Sequence, residues 1–202
     1  MAKTAVIACG ALALHIRQIA RRDGLDLDVY PLPPELHNRP MKIAPAVEEL
    51  VQQLEGRYER VVVGYAECGT RGALDALCAA HGLERLPGQT CYDIFGGEAE
   101  IAAAVDAEPG TFFLTDFLVK AFDHVVWRAF GLDRYPELRD DIFGHYRRVI
   151  WLAQDRTPKL EARARAAADR LGLELEIRDV GDTGLASRLR DLTSTPGERG
   201  IP

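Results

Sequence analysis

Cys9, Cys68, Cys91 and His37 carry the side chains in this sequence best suited to thiol or soft-metal chemistry. Cys9 closes the run Thr-Ala-Val-Ile-Ala-Cys-Gly at 4–10, and Cys68 closes Val-Val-Val-Gly-Tyr-Ala-Glu-Cys-Gly at 61–69. Each cysteine therefore stands at or just past the carboxyl end of an expected strand, followed by a glycine and then a helix. In an open α/β sheet these ends lie on one edge, where such folds take their ligands. The glycine after each cysteine is expected to adopt positive φ, turning the chain while leaving the thiol exposed. Both thiols would then stand at a helix amino terminus, whose N–H groups and dipole favour an anion, so both are expected to have lowered pKa values. The shared order of strand, Cys-Gly and helix is compatible with a duplication but too short to establish one.

Cys91 lies between the turn signal Leu-Pro-Gly and the stretch Tyr-Asp-Ile-Phe-Gly-Gly, which reads as a loop. His37 lies in a segment stiffened by Pro31, Pro33, Pro34, Pro40 and Pro45. Three thiolates and an imidazole complete a tetrahedral zinc site. Three cysteines with an open fourth position suit a catalytic zinc, or a [4Fe–4S] cluster with one labile iron. The spacing is not that of a compact CxxC knuckle, so only folding can assemble the set. Cys78, inside Ala-Leu-Cys-Ala-Ala, reads instead as a small hydrophobe of the core. The expected metal ligands are Cys9, Cys68 and Cys91, with His37 as a fourth ligand or a contact to substrate.

Glu67 and Asp93 adjoin or closely follow two of these cysteines, a suitable place for a hydrogen-bond acceptor or a general acid/base. A solvated loop carboxylate explains each equally well. Asp116 follows the apolar run Phe112–Leu114 and reads as a helix N-cap or a contact to substrate. Lys120, one turn later, could reach an anionic ligand or pair with Asp116. Tyr65 stands just ahead of Cys68, and Arg71 in Glu-Cys-Gly-Thr-Arg-Gly could help a helix terminus hold phosphate or carboxylate. The expected catalytic groups are thus Glu67, Asp93 and Lys120, and the expected substrate contacts are His37, Tyr65, Arg71 and Asp116. Trp127, Phe130 and Phe143 line a cleft or simply pack. No GxGxxG follows the first strand, and GxxxxGK[ST], HExxH and GxSxG are absent. Nucleotide and nicotinamide chemistry gain no support.

Apolar runs alternate with longer amphipathic stretches, the pattern of βα units around a mostly parallel sheet. Strands are expected at Thr4–Ala8, Leu25–Tyr30, Arg60–Gly64, Thr111–Leu114, Val149–Leu152 and Leu173–Ile177. Helices are expected at 11–22, 46–54, 71–81 (closed by Gly82), 117–130 and 159–171. Leu32–Pro45 should be an extended loop, since proline supplies no backbone donor. With 202 residues, 47% of them hydrophobic, the chain is expected to form one domain over 1–192 with a flexible tail over 193–202. The fold class is α/β: a single-domain, three-layer sandwich with a mostly parallel, Rossmann-like sheet.

A net charge of −6 and the lack of a basic stripe argue against nucleic acid as a partner. No run approaches the roughly 20 apolar residues of a membrane helix. Ala5–Leu14 lacks a cleavage pattern and reads as a buried strand rather than a leader. A cytoplasmic location, with reduced thiols free to bind metal or react, is the expectation.

Ala8-Cys9-Gly10, Leu36-His37-Asn38, Tyr65 through Cys68-Gly69, Cys91-Tyr92-Asp93 and Leu114-Thr115-Asp116 together resemble a family known as the domain of unknown function DUF1638, over roughly residues 4–155. Members of that family occur in methanogens and bacteria and are often encoded near corrinoid-dependent methyltransferases. The resemblance implies methyl-group or one-carbon metabolism. The chain would be an enzyme, such as a methyltransferase, handling a methylated amine, a thiol or a related small substrate, with corrinoid supplied by a partner protein. Zinc would hold a substrate thiol as a nucleophilic thiolate, or an open iron would polarise the substrate. The alternative is a non-catalytic partner or carrier that docks to a corrinoid protein or methyltransferase through a domain with a structural metal. Thiol redox chemistry at Cys9 and Cys68 is a third reading, weakened by the lack of a CxxC pair.

Overall fold

A computed structural model describes residues 4–194. They form two compact units, one running to Ile94 and resuming at Asp182, the other Phe95–Gly181. Each unit has its own three-stranded, all-parallel sheet with helices around it. The α/β class with parallel strands is therefore as expected. The strands are divided between two sheets within what chain length suggested as one domain. Residues 195–202, most of the expected flexible tail, lie outside the described residues.

The first unit begins with β1 (Thr4–Cys9), whose six residues are all buried. Strands covered on both faces read as unbroken apolar runs, which is why Ala5–Ala8 shows no alternation. α1 (Gly10–Asp23) follows without a loop and buries Leu12, Ile16 and Ile19 on one face. β2 (Leu27–Leu32) pairs with one side of β1, and β3 (Arg60–Gly64) with the other, so that Val6 stands opposite both Val29 and Val62. β2 continues through Pro31 to Leu32, past the expected stop, because it is an edge strand and an edge tolerates a missing N–H.

The proline-rich segment is more regular than an extended loop. It forms two 3-10 turns, Pro34–Asn38 and Pro40–Lys42, and then α2 (Ile43–Leu54). Pro34 and Pro40 each open their turn, where the missing N–H would have no partner in any case. α3 (Ala73–His81) starts two residues later than the spacing predicts and is closed by Gly82.

Beyond β3 a further extended segment takes the free side of the sheet. Val63 N–H donates to Glu84 O at 2.8 Å, Leu86 N–H to Val63 O at 3.0 Å, Glu67 N–H to Gly88 O at 3.1 Å and Cys68 N–H to Gln89 O at 2.7 Å. This segment occupies the free edge of β3. It leads into α4 (Cys91–Gly96), so Cys91 opens a helix rather than sitting in a loop. The unit is completed by α9 (Thr183–Thr193), joined to α1 by Arg22 and Asp182 at 2.8 Å.

In the second unit, α5 (Glu98–Ala107) precedes β4 (Thr111–Thr115), and β5 (Arg148–Ala153) lies between β4 and β6 (Glu174–Asp179). α6 (Asp116–Lys120), α7 (Leu138–Phe143) and α8 (Pro158–Leu171) complete it. The single helix expected over 117–130 is instead α6 followed by a π-helical turn, Asp123–Trp127. Arg170 of α8 lies 4.1 Å from the Trp127 ring centroid and pairs with Asp123, tying this wider turn to α8. Phe143 is buried, with edge-on contacts to Phe112 and Phe130, so Phe143 and Phe130 pack together. No helix among the described residues is long and apolar enough to cross a membrane.

Candidate metal centre

Parallel pairing brings the carboxyl ends of β1, β3 and the 84–89 segment side by side, and each delivers one cysteine. Cys9 is the last residue of β1 and the N-cap of α1. Gly10 is required there by close approach rather than by positive φ: a Cβ would meet the Leu32 carbonyl oxygen at 2.5 Å and the Pro34 ring at 3.0 Å. Cys68 follows β3 in a tight turn that reaches α3 only at Ala73. In that turn Gly69 has φ +78°, as expected, but Cys68 itself has φ +52° and Arg71 +56°. Cys91 is buried at the first position of α4. Cys9 acts electrostatically on Cys68, and Cys9 and Cys68 both act on Cys91.

The expectation of lowered thiol pKa values is reversed. Burial raises Cys9, against the opposing backbone N–H groups of Ala11 and Leu12. Burial pushes Cys68 up to about 12, with the neighbouring Cys9 adding to the effect. Cys91 is raised well above the usual thiol value by burial, then by Cys68 and Cys9. Loss of hydration outweighs the helix terminus at Cys9, and Cys68 lacks a helix terminus altogether. All three are therefore neutral thiols near neutral pH in the metal-free chain. Among the described residues, no group of three or more His, Cys, Asp or Glu is arranged so as to hold a metal ion as it stands.

Tyr65 is the aromatic component of this cluster. It is only 2% exposed, its hydroxyl lies against the Cys9 thiol, and burial raises its pKa. That hydroxyl has no hydrogen-bond partner of acceptable geometry among the described residues, and neither does the buried Thr90 Oγ1 beside Cys91. Enclosed hydroxyls without partners are rare, because each loses its hydration without replacement. Three soft donors beside a spare hydroxyl form a set that suits zinc or an iron–sulfur cluster.

The flanking carboxylates hold backbone. Glu67 accepts from Gly69 N–H at 2.7 Å, Thr70 Oγ1 at 2.6 Å and Gly72 N–H at 3.0 Å, so it staples the turn that carries Cys68. The Thr70 hydroxyl and then the Gly72 N–H keep its pKa below the usual carboxylate value. Asp93 is buried and accepts from Gln89 N–H and Thr90 N–H, both at 2.8 Å. Thr90 and Asp93 thus make half of a capping box around the start of α4, a Thr-x-x-Asp signal present in the sequence. Arg85 was not anticipated: it bonds the carbonyls of Leu86 and Gly88, is held by Asp75, and favours the ionised form of Cys68.

His37 lies in the turn after β2, at the same sheet edge, on an exposed face. Enough protein surrounds the ring for burial to lower its pKa. Arg71 is exposed in the Cys68 turn. Cys78 is buried on α3, as expected of a core residue.

Asp116 and Lys120 belong to the second unit. Thr115, not Asp116, is the N-cap of α6, accepting from Leu118 N–H at 3.4 Å. The fully buried Asp116 accepts from Trp151 Nε1 at 3.0 Å, Gln154 N–H at 3.1 Å and Asp155 N–H at 2.8 Å. These bonds tie the start of α6 to the end of β5. Lys120 is exposed on the rim of a concavity with Asp123, Arg163 and Arg170.

No curated protein and no solved structure matches the chain. Residues 31–189 match the family described as "Protein of unknown function (DUF1638)". The match contains His37, Tyr65, Cys68 and Cys91 and begins after Cys9. Spanning well over half of the 202 residues, it shows that the chain belongs to the DUF1638 family.

Proposed function

We propose that this chain is a metal-binding enzyme of corrinoid-linked methyl-group or one-carbon metabolism, in which Cys9, Cys68 and Cys91 hold zinc or a [4Fe–4S] cluster beside a small-molecule site. The observation that carries the metal reading is that β1, β3 and the 84–89 segment run parallel side by side and that one of the three cysteines stands at or just past the carboxyl end of each. A structural role for each thiol alone would give no reason to gather them. Three thiolates leave a fourth position for substrate, and the exposed His37 and Arg71 are the groups proposed to meet it. A bound metal would supply Lewis acidity and make a substrate thiol nucleophilic at neutral pH. The corrinoid setting rests on what the family resemblance implies, with the corrinoid carried by a partner protein.

Burial of Cys9 and Cys91 favours a second reading, a closed structural metal in a non-catalytic partner of a methyltransferase system. Metal analysis and an absorption spectrum on protein purified without oxygen test the metal. Expected is a stoichiometric metal that Cys68→Ser removes. Protein that stays metal-free after anaerobic reconstitution with either zinc or iron and sulfide overturns both readings. Perturbation by a small thiol of the cluster's spectrum, or of that of cobalt(II) substituted for zinc, separates the enzyme from the structural partner.

A further inference from the structure

Tyr65 combines two properties that a packing role does not explain. Its ring is enclosed, yet its hydroxyl has no hydrogen-bond partner of acceptable geometry among the described residues. The same hydroxyl lies against Cys9, within electrostatic range of Cys68 as well. A phenylalanine would fill this space without stranding a polar atom. A buried donor kept without an acceptor points to an acceptor that exists only in another state of the site.

We propose that Tyr65 is the hydrogen-bond donor to the Cys9 sulfur when that sulfur binds metal, a positioning role that rests on the metal reading above. A neutral thiol is a weak acceptor, so the hydroxyl gains little from it in the metal-free chain. On metal binding the thiol proton leaves to solvent and the sulfur becomes an anion, to which hydrogen bonds are about twice as strong as neutral ones. The hydroxyl then stabilises the thiolate over the thiol and fixes its direction, while drawing some charge from the sulfur. Replacing a group that orients a ligand in this way typically costs roughly 10–100-fold in metal affinity.

Cobalt(II), a coloured substitute for zinc, tests this with wild-type protein and Tyr65→Phe. Wild type should show a thiolate-to-cobalt charge-transfer band. Tyr65→Phe should still bind cobalt, with the band moved to lower energy because the sulfur has lost a hydrogen bond, and with affinity about tenfold weaker. The metal-free variant should melt at the same temperature as wild type or higher, since it sheds a stranded hydroxyl. A lower melting temperature of the metal-free variant overturns the proposal by showing that the hydroxyl has a structural partner. An unchanged band and affinity overturn it alone, leaving the metal reading intact. A wild-type protein that gives no charge-transfer band overturns the metal reading and this inference together.

Discussion

Glu67 holds Cys68 in place by closing its carboxylate over the turn in which that cysteine adopts φ +52°. A non-glycine residue in this region costs roughly 1–2 kcal/mol, and an ionised carboxylate with three donors offsets it. Glu67→Ala should lower stability to denaturant by about 1–2 kcal/mol, toward the lower end of what charged hydrogen bonds contribute because the site is half-exposed. Glu67→Gln, which keeps an acceptor oxygen, should lose less. An unchanged denaturation midpoint for Glu67→Ala would show that the staple contributes nothing.

Strain at Cys68 separates its chemical role from its structural one. Cys68→Gly removes the thiol and relaxes the backbone, so metal content should fall while the metal-free protein gains up to about 1 kcal/mol. Cys78→Ala should do the reverse, costing about 1 kcal/mol by deleting a buried sulfur while leaving metal content intact. Metal analysis and denaturation on the same preparations decide the matter, and equal metal loss in both variants would show the ligand assignment to be wrong.

The strands were legible because burial on both faces writes itself as apolar runs, as at Ala5–Ala8 and Val61–Val63. The cysteine positions followed from those strand ends. The environment of the thiols did not, because desolvation depends on what folds over Cys91 from distant segments. α4 was marked by Thr90 and Asp93 but masked by the surrounding glycines. The pairing of the segment after Gly82 with β3 was invisible because it is made by Val63, Glu84 and Leu86 through backbone atoms alone.

The raised thiols set the direction of a pH dependence. In the metal-free fold Cys9, Cys68 and Cys91 keep their protons above the ordinary thiol value of 9.0, whereas in the unfolded chain they ionise near that value. The unfolded state then binds fewer protons than the folded one, so stability falls as pH rises. It is fully present below about pH 8 and is lost progressively from about pH 9 upward, through the folded value near 12 of Cys68. Denaturation of chelator-treated protein at pH 7.5 and 9.5 should show this loss, and Cys68→Ser should reduce it. Equal stability at both pH values would mean that the thiols are not held neutral.

Asp116 provides a test in the second unit. Its carboxylate is fully buried and takes the Trp151 indole N–H together with the backbone N–H groups of Gln154 and Asp155. Asp116→Ala removes the acceptor of three N–H groups, of which the Trp151 indole is fully buried, and should cost about 2 kcal/mol or more. Asp116→Asn keeps one acceptor oxygen and should cost less. Trp151 is enclosed, so its fluorescence should shift to longer wavelength where the indole loses its partner and water enters. Because the three cysteines belong to the other unit, either variant should take up metal at the wild-type level below its melting temperature. Loss of metal from a folded Asp116→Asn protein would overturn the expectation that this carboxylate acts only on the stability of its own unit.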